Sequence, residues 1–298
     1  MEPSAFKLIT WLKMLRIHQW IKNLLLFIPL IAANQFTNST QWIHLLVAFF
    51  SFSFCTSAVY IINDLSDLEN DRKHPQNKNR PFASGKIPTW AGIALIPFLL
   101  FICVILASCL GGSFLIWLAV YFVLTCIYSW GLKKLALIDC LMLAFFYTLR
   151  ILAGGSVVHI KLSFWLLGFS IFLFLSLAFV KRYTELNLVK FSLIDNPKGR
   201  GYYLSDSSLI KVFGVSSGYC AVLLLALYLN STEIIHLYKT PEYIWGAVPL
   251  MMMWVSWVWM QADRGKMHDD PILFAIKDTT SLLIGLLLTI LFVLAKLW

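Results

Sequence analysis

Asp64, Asp67 and Asp71 stand in the run Asn63-Asp64-Leu65-Ser66-Asp67-Leu68-Glu69-Asn70-Asp71. On a helix they fall at about 0°, 300° and 340°, one shared face, while Glu69 points away. Three like charges so placed repel unless a cation bridges them or water surrounds them. Oxygen-only ligands with open positions suit Mg2+, with Mn2+ as a substitute, because Mg2+ is commonly held by a few carboxylates plus substrate phosphates. A basic stretch follows, with Arg72, Lys73, Lys78, Arg80 and Lys86. Pro75 and Pro81 within it stop a helix and shape a loop. Carboxylates for a metal followed by cations are what a diphosphate-bearing substrate requires. A solvated helix end is the plainer alternative.

The elements that carry these residues are membrane spans. Of 298 residues, 59% are apolar and only 13% charged, against about 25% charged in soluble domains. The apolar residues come in long runs rather than alternating, which excludes a lipid-facing barrel and predicts an all-α bundle. Nine candidate transmembrane helices fall near 20–35, 43–63, 90–109, 112–130, 136–154, 163–181, 212–230, 243–260 and 279–297. The first is short and contains Pro29; a cleaved signal peptide is its rival. Ahead of it Ala5, Leu8, Ile9, Leu12 and Leu15 repeat at helical spacing, predicting an interfacial helix over residues 1–19. One membrane domain over 1–298 is expected, with cytoplasmic loops 64–89 and 181–211 at its active site.

Nine spans sort the loops into two sets. The set holding the N-terminus carries 20 of the 24 Lys+Arg, the opposite set only Lys161, Lys239 and Lys296. This asymmetry predicts a cytoplasmic N-terminus. Of the acidic residues only Glu233 and Glu242 fall on the outer side, so the chemistry is expected at the cytoplasmic end. The net charge of +9 then fits anionic substrates rather than nucleic acid.

Other polar residues each have two readings. Asp139 and Arg150 share a face of the fifth span, roughly 16 Å apart along its axis. Arg150 is thereby placed inside the membrane, where a cation is either functional or paired with another helix. Lys133 and Lys134 sit in a short loop. Lys181, Arg182 and Glu185 end the sixth span, where Lys181 and Glu185 could be a surface pair. His268-Asp269-Asp270-Pro271 is a second phosphate or metal element or a helix start. Lys22, after Trp20, binds phosphate or marks an interface. The six cysteines form no CxxC or Cys/His cluster and read as small buried apolar residues.

The pattern Asn-Asp-x-x-Asp-x-x-x-Asp after span two, followed by His74-Pro75 and Arg80-Pro81-x-Ala83-Ser84-Gly85, resembles the UbiA-type superfamily of intramembrane prenyltransferases. Within it the chain is most similar to the polyprenyl-phosphate (decaprenyl-phosphate) phosphoribosyltransferases. The matching pieces are Gln19-Trp20-x-Lys22-Asn23, Tyr128-Ser129-x-x-Leu132-Lys133 followed by Asp139, Tyr147-x-Leu149-Arg150 with Ala153-Gly154-Gly155, and Lys181-Arg182-x-x-Glu185-Leu186. The resemblance implies transfer of a 5-phosphoribosyl group from phosphoribosyl diphosphate to a polyprenyl phosphate, for cell-envelope or glycan arabinosyl or ribosyl donors. It implies a multi-pass protein of the cell (inner) membrane, and leaves an oligomer open. Catalytic roles are implied for Asp64, Asp67, Asp71 and Asp139, the first three holding Mg2+. Substrate contacts are implied for Lys22, Asn63, Lys78, Arg80, Tyr128, Lys133, Arg150, Lys181, Arg182 and Glu185. Aromatic prenyltransferases of the superfamily typically carry Asp-x-x-x-Asp at the fifth span; here Leu143 stands four residues after Asp139. That departure weakens the alternative of a Mg-dependent aromatic prenyltransferase of quinone-type biosynthesis. A transporter, the alternative of another class, would show paired broken helices and an inverted repeat, and neither is seen.

Overall fold

In a computed structural model the chain is described over residues 3–73, 77–191, 201–231, 237–267 and 270–298. Every element there is helical. In chain order they are α1 (Pro3–Met14), a 3-10 helix (Ile17–Phe27), α2 (Ile28–Ala32), α3 (Ser39–Ser66), α4 (Leu68–Lys73), α5 (Thr89–Ser108), α6 (Gly112–Trp130), α7 (Ile138–Val158), α8 (Phe164–Phe191), α9 (Ser207–Leu229), α10 (Ala247–Asp263), α11 (Pro271–Lys277) and α12 (Thr279–Leu297), with further short 3-10 turns between them. Two compact units result: Met1–Trp130 with Leu149–Lys161, and Gly131–Thr148 with Leu162–Trp298.

Eight helices among the described residues are long and apolar enough to cross a membrane. They are α3, α5 to α10 and α12, those at α9 and α10 including the 3-10 turns that precede them. The first expected span differs. Residues Ile17–Ala32 are too few for an α-helical span, but eleven of them take the 3-10 form. At about 2.0 Å rise, plus α2, the stretch covers roughly 30 Å, about the hydrocarbon thickness. A 3-10 run this long is uncommon, and in the first unit it is pinned from the side. Trp20 Nε1 donates to Ser57 Oγ at 3.0 Å and Asn23 Nδ2 to Ser53 Oγ at 2.9 Å, both on α3. Gly154 of α7 lets backbone meet backbone, since a Cβ there would lie 2.1 Å from the Leu26 carbonyl oxygen. Ahead of this stretch, α1 buries Met14 and leaves Leu8, Ile9, Trp11 and Leu12 exposed.

The second unit packs equally closely. Gly214 of α9 faces the Trp259 ring of α10, and a Cβ would meet it at 2.1 Å. Ser176 of α8 donates to the Gly214 carbonyl at 2.7 Å and accepts from Trp259 Nε1 at 3.0 Å. All six cysteines are free thiols, and Cys55, Cys103 and Cys140 are buried. Cys109 and Cys220 are exposed, which corrects the expectation that all six are buried. Cys220 lies in the apolar helix α9, where a thiol can face lipid, and Cys109 caps the end of α5.

Candidate functional site

In the first unit the acidic run lies at the end of α3. The helix stops at Ser66, so the expected continuous helix is broken at Asp67, but the hydrogen bonds run on. Asp67 N donates to Asn63 O at 2.9 Å and Asp71 N to Asp67 O at 2.8 Å. The helical phase survives the turn. Asp64 and Asp71 are buried, Asp67 is half-buried, and Glu69 is exposed.

Two arginines close on the buried carboxylates. Arg80 Nη1 lies 2.6 Å from Asp71 Oδ2 and 3.3 Å from Asp64 Oδ1. Arg16 Nη2 donates to the same Asp64 Oδ1 at 2.6 Å, and its guanidinium lies 4.7 Å from the centre of the Tyr60 ring. Asn77 Nδ2 donates to the other oxygen of Asp71 at 2.9 Å. Sequence reasoning missed Arg16, which counted only as one of the basic residues in 1–22. Its left-handed backbone, φ 50° and ψ 45°, is uncommon outside glycine.

Among the described residues no three His, Cys, Asp or Glu side chains stand close enough to hold a metal, so the expected set of three carboxylates is not gathered. The residues nevertheless fit Mg2+. Oxygens of Asp64 and Asp71 already converge on one cationic nitrogen, and two carboxylates completed by water and phosphate oxygens are an ordinary Mg2+ shell. Of the other expected contacts in this unit, Lys22 is buried, Asn63 and Tyr128 are half-buried, and Lys78 is exposed.

Arg150 is buried in the same unit. Its Nε donates to Asn23 Oδ1 at 2.9 Å and its Nη2 to the Tyr121 hydroxyl at 3.0 Å. Its guanidinium lies 4.9 Å from the Tyr121 ring centre and 5.4 Å from that of Phe52. The pairing with other helices is thus formed, and it ties α7 to the 3-10 stretch and α6.

The second unit holds a separate polar knot. Asp139, fully buried, forms an ion pair with Arg182, which also pairs with the half-exposed Glu185. The Tyr202 hydroxyl donates to Asp139 Oδ1 and accepts from Leu137 N at 2.7 Å. Gly201 N donates to Lys134 O at 2.9 Å. Burial, then the neighbouring Cys140 thiol and Asp139 carboxylate, push the Tyr202 phenol up, which keeps it a donor. Tyr202 carried no sequence signal, because its partner lies 63 positions away. Lys181 reaches Asp270 Oδ2 at 3.8 Å. Asp270 also accepts from Ile272 N at 3.2 Å with Pro271 at the first turn, so the helix-start reading holds for Asp270. His268 and Asp269 lie outside the described residues. Leu143, Tyr147, Lys181, Asp270 and Ile272 line a small cavity. Lys133 is half-buried.

A profile of the UbiA prenyltransferase family matches residues 24–283. The chain belongs to that family. The UbiA fold is supported by solved structures as well. A UbiA homolog from Archaeoglobus fulgidus bound to GPP and Mg2+ superposes with a TM-score of 0.70 at 17% identity, over 95% of this chain and 98% of that one. The digeranylgeranylglyceryl phosphate synthase structure gives 0.64 at 17% identity over 97% and 98%. By sequence this UbiA chain is 33% identical over 286 residues to the nodulation protein NoeC of Azorhizobium caulinodans, covering 95% and 92% of the two. An uncharacterised protein, y4nM, of Sinorhizobium fredii is 36% identical over 96% of this chain, which spans only 55% of that protein. The decaprenyl-phosphate phosphoribosyltransferase of Mycolicibacterium smegmatis is 36% identical over 183 residues, 60% of this chain and 58% of that enzyme. The protein is therefore a multi-pass UbiA-family membrane protein, of a family named for prenyl transfer.

Proposed function

We propose that this chain transfers a 5-phosphoribosyl group from phosphoribosyl diphosphate to a polyprenyl phosphate, releasing diphosphate. The observation that carries the reading is the meeting of Asp64 and Asp71 with Arg16 and Arg80, oxygens for a hard cation beside donors for phosphate. The partial similarity to a decaprenyl-phosphate phosphoribosyltransferase supports this donor over a prenyl diphosphate. So does Leu143, standing where the aromatic branch typically has its second aspartate.

Asp64 and Asp71 hold Mg2+, or Mn2+ in its place, with Asp67 one turn away as the third candidate ligand. The metal when bound supplies charge neutralisation for the departing diphosphate. Arg80, Lys78 and Lys22 donate to phosphate oxygens. A phosphate oxygen of the lipid acceptor attacks the anomeric carbon as the carbon–oxygen bond to diphosphate breaks, leaving a phosphodiester-linked ribose 5-phosphate on the lipid. Asp67, a half-buried carboxylate, suits stabilisation of the positive ribosyl centre. Asn63, Tyr128, Lys133 and Lys181 are assigned substrate contacts by resemblance. Asp139, Arg182 and Arg150 are assigned positioning roles, because their polar atoms already serve contacts between helices, and Glu185 is assigned one as the partner of Arg182 on the same helix.

The reading is tested with purified full chain, labelled phosphoribosyl diphosphate, Mg2+ and polyprenyl phosphates of several lengths. Label is expected to pass into the organic phase with one diphosphate released per lipid, and only when both lipid and metal are present. Prenylation of 4-hydroxybenzoate by the same preparation, without ribosyl transfer, would overturn it in favour of the aromatic branch.

We also place this site on the cytoplasmic side of the cell inner membrane, on the basic asymmetry of the loops. Single cysteines at positions 78, 133 and 200, in a background lacking the six native ones, are expected to resist an impermeant thiol reagent applied to intact cells. Cysteines at 161 and 239 are expected to react. Position 200 lies outside the described residues and is tested as sequence alone. Reaction at position 78 from outside sinks the orientation.

A further inference from the structure

Arg16 is the residue that neither the acidic motif nor the basic loop predicted, and three features set it apart. Its backbone is left-handed, with φ 50° and ψ 45°, a conformation that non-glycine residues rarely adopt. The chain on both sides of it is clamped to α3: Ser57 Oγ donates to Leu15 O at 2.8 Å, and Trp20 Nε1 donates to Ser57 Oγ at 3.0 Å. The result of that strained, clamped turn is a guanidinium aimed at Asp64 Oδ1 and laid over the Tyr60 ring. Strain held in place at one side chain points to a job for that side chain.

The job follows from the charges. Two buried carboxylates close together repel unless a cation lies between them. Asp64 Oδ1 accepts from Arg16 and also lies 3.3 Å from Arg80 Nη1, which contacts Asp71 as well. Guanidinium nitrogens thus stand where a divalent cation bound by Asp64 and Asp71 would stand. A carboxylate oxygen engaged by both arginines has little room left for a metal ion at about 2.1 Å.

We propose that Arg16 is a placeholder cation that exchanges roles on loading. Without metal it neutralises Asp64; with metal it gives up Asp64 Oδ1 and, still clamped beside the site, donates to the diphosphate of the incoming donor substrate. This rests on the proposed metal role of Asp64 and Asp71, and it holds for any diphosphate-bearing donor. The exchange is a displacement of one ionic contact by another, with no bond made or broken. It gives Arg16 a signature that a purely structural ion pair lacks. Removing its charge must strengthen metal binding, because a competitor is gone, and weaken diphosphate binding, because a donor is gone.

The test is Mn2+ binding, followed by electron paramagnetic resonance, to the full chain in lipid nanodiscs, without substrate. Methylenediphosphonate binding is then measured at saturating Mn2+. Arg16→Gln is expected to bind Mn2+ about tenfold more tightly and methylenediphosphonate about tenfold more weakly, the scale of one charge-assisted hydrogen bond. Arg16→Lys keeps the charge, remains within about threefold of wild type for Mn2+, and serves if the glutamine variant does not fold. In that event a tenfold weaker methylenediphosphonate affinity of Arg16→Lys, from loss of the planar fork, supports the proposal, and unchanged affinity overturns it. Mn2+ affinity unchanged or weaker in Arg16→Gln overturns the placeholder role while leaving the metal site standing. Absence of Mn2+ binding to wild type, or binding undisturbed by Asp71→Asn, overturns the metal reading and this inference with it.

Discussion

Asp71→Asn should lower turnover by about a thousandfold, the scale reached when a charge poised at the reacting centre is lost. The change keeps the shape of the side chain and removes the charge that Arg80 and Asn77 now hold. Asp64→Asn should behave alike. Glu69 belongs to the same short helix and is exposed, so Glu69→Ala should stay within about twofold of wild type. Turnover is read at saturating metal, with thermal unfolding of each variant alongside. Comparable losses for Glu69→Ala and Asp71→Asn would mean that helical phase does not select the metal ligands. A lost melting transition in Asp71→Asn would mean the carboxylate serves the fold.

The second large effect is on stability. Arg182 is 2% exposed and is shared between Asp139 and Glu185. Removing one partner of such a buried pair typically costs about 3–5 kcal/mol, because the other charge stays behind. Arg182→Met should therefore lower the melting temperature in detergent by about 10 °C or more. Asp139→Leu combined with Arg182→Met removes both charges and should recover most of that loss, though the Tyr202 hydroxyl then loses its carboxylate acceptor and keeps only its contacts with Leu137 N and Cys140 Sγ. Ribosyl transfer should follow stability across the three proteins. If Arg182→Met melts like wild type and yet has no activity, Arg182 touches substrate and its positioning role fails.

Much of the architecture was legible because hydropathy in a membrane chain leaves few choices. The bounds of α5, α6 and α12 fall within about one residue of the apolar runs, whose ends are set by the polar boundary itself. The phase of Asp64 and Asp71 was legible because a period of 3.6 survives even the turn at Asp67. Hydropathy could not tell that residues 17–27 are 3-10 rather than α, since it depends on residue type and not on backbone form. Arg16 was illegible for a different reason. Its target lies 48 positions away, and its left-handed backbone is not marked by the glycine that usually signals one. Tyr202 joins Asp139 across 63 positions, and no local pattern encodes that closure. Asp139 and Arg150 were read as one polar face of a single helix, and each instead anchors a different knot. A shared face gives direction but not partners.

The two bonds between the 3-10 stretch and α3 have the spacing of a vernier. Trp20 and Asn23 are three residues apart, and three steps of about 2.0 Å advance the 3-10 helix by roughly 6.0 Å. Their acceptors Ser57 and Ser53 are four residues apart, and four steps of about 1.5 Å advance an α-helix by the same roughly 6.0 Å in the opposite sense. Side chains three apart eclipse on one helix, and side chains four apart nearly do on the other, so two unlike screws mesh like a pair of racks. An α-helical run over residues 17–27 would advance only about 4.5 Å between Trp20 and Asn23 and miss the second tooth. The same gearing fixes what lies beyond its end: the chain leaves the rack beside Ser57, which also holds the Leu15 carbonyl, and from there the Arg16 side chain reaches along α3 to Asp64, so the pitch of one helix meters the position of a charge on the next.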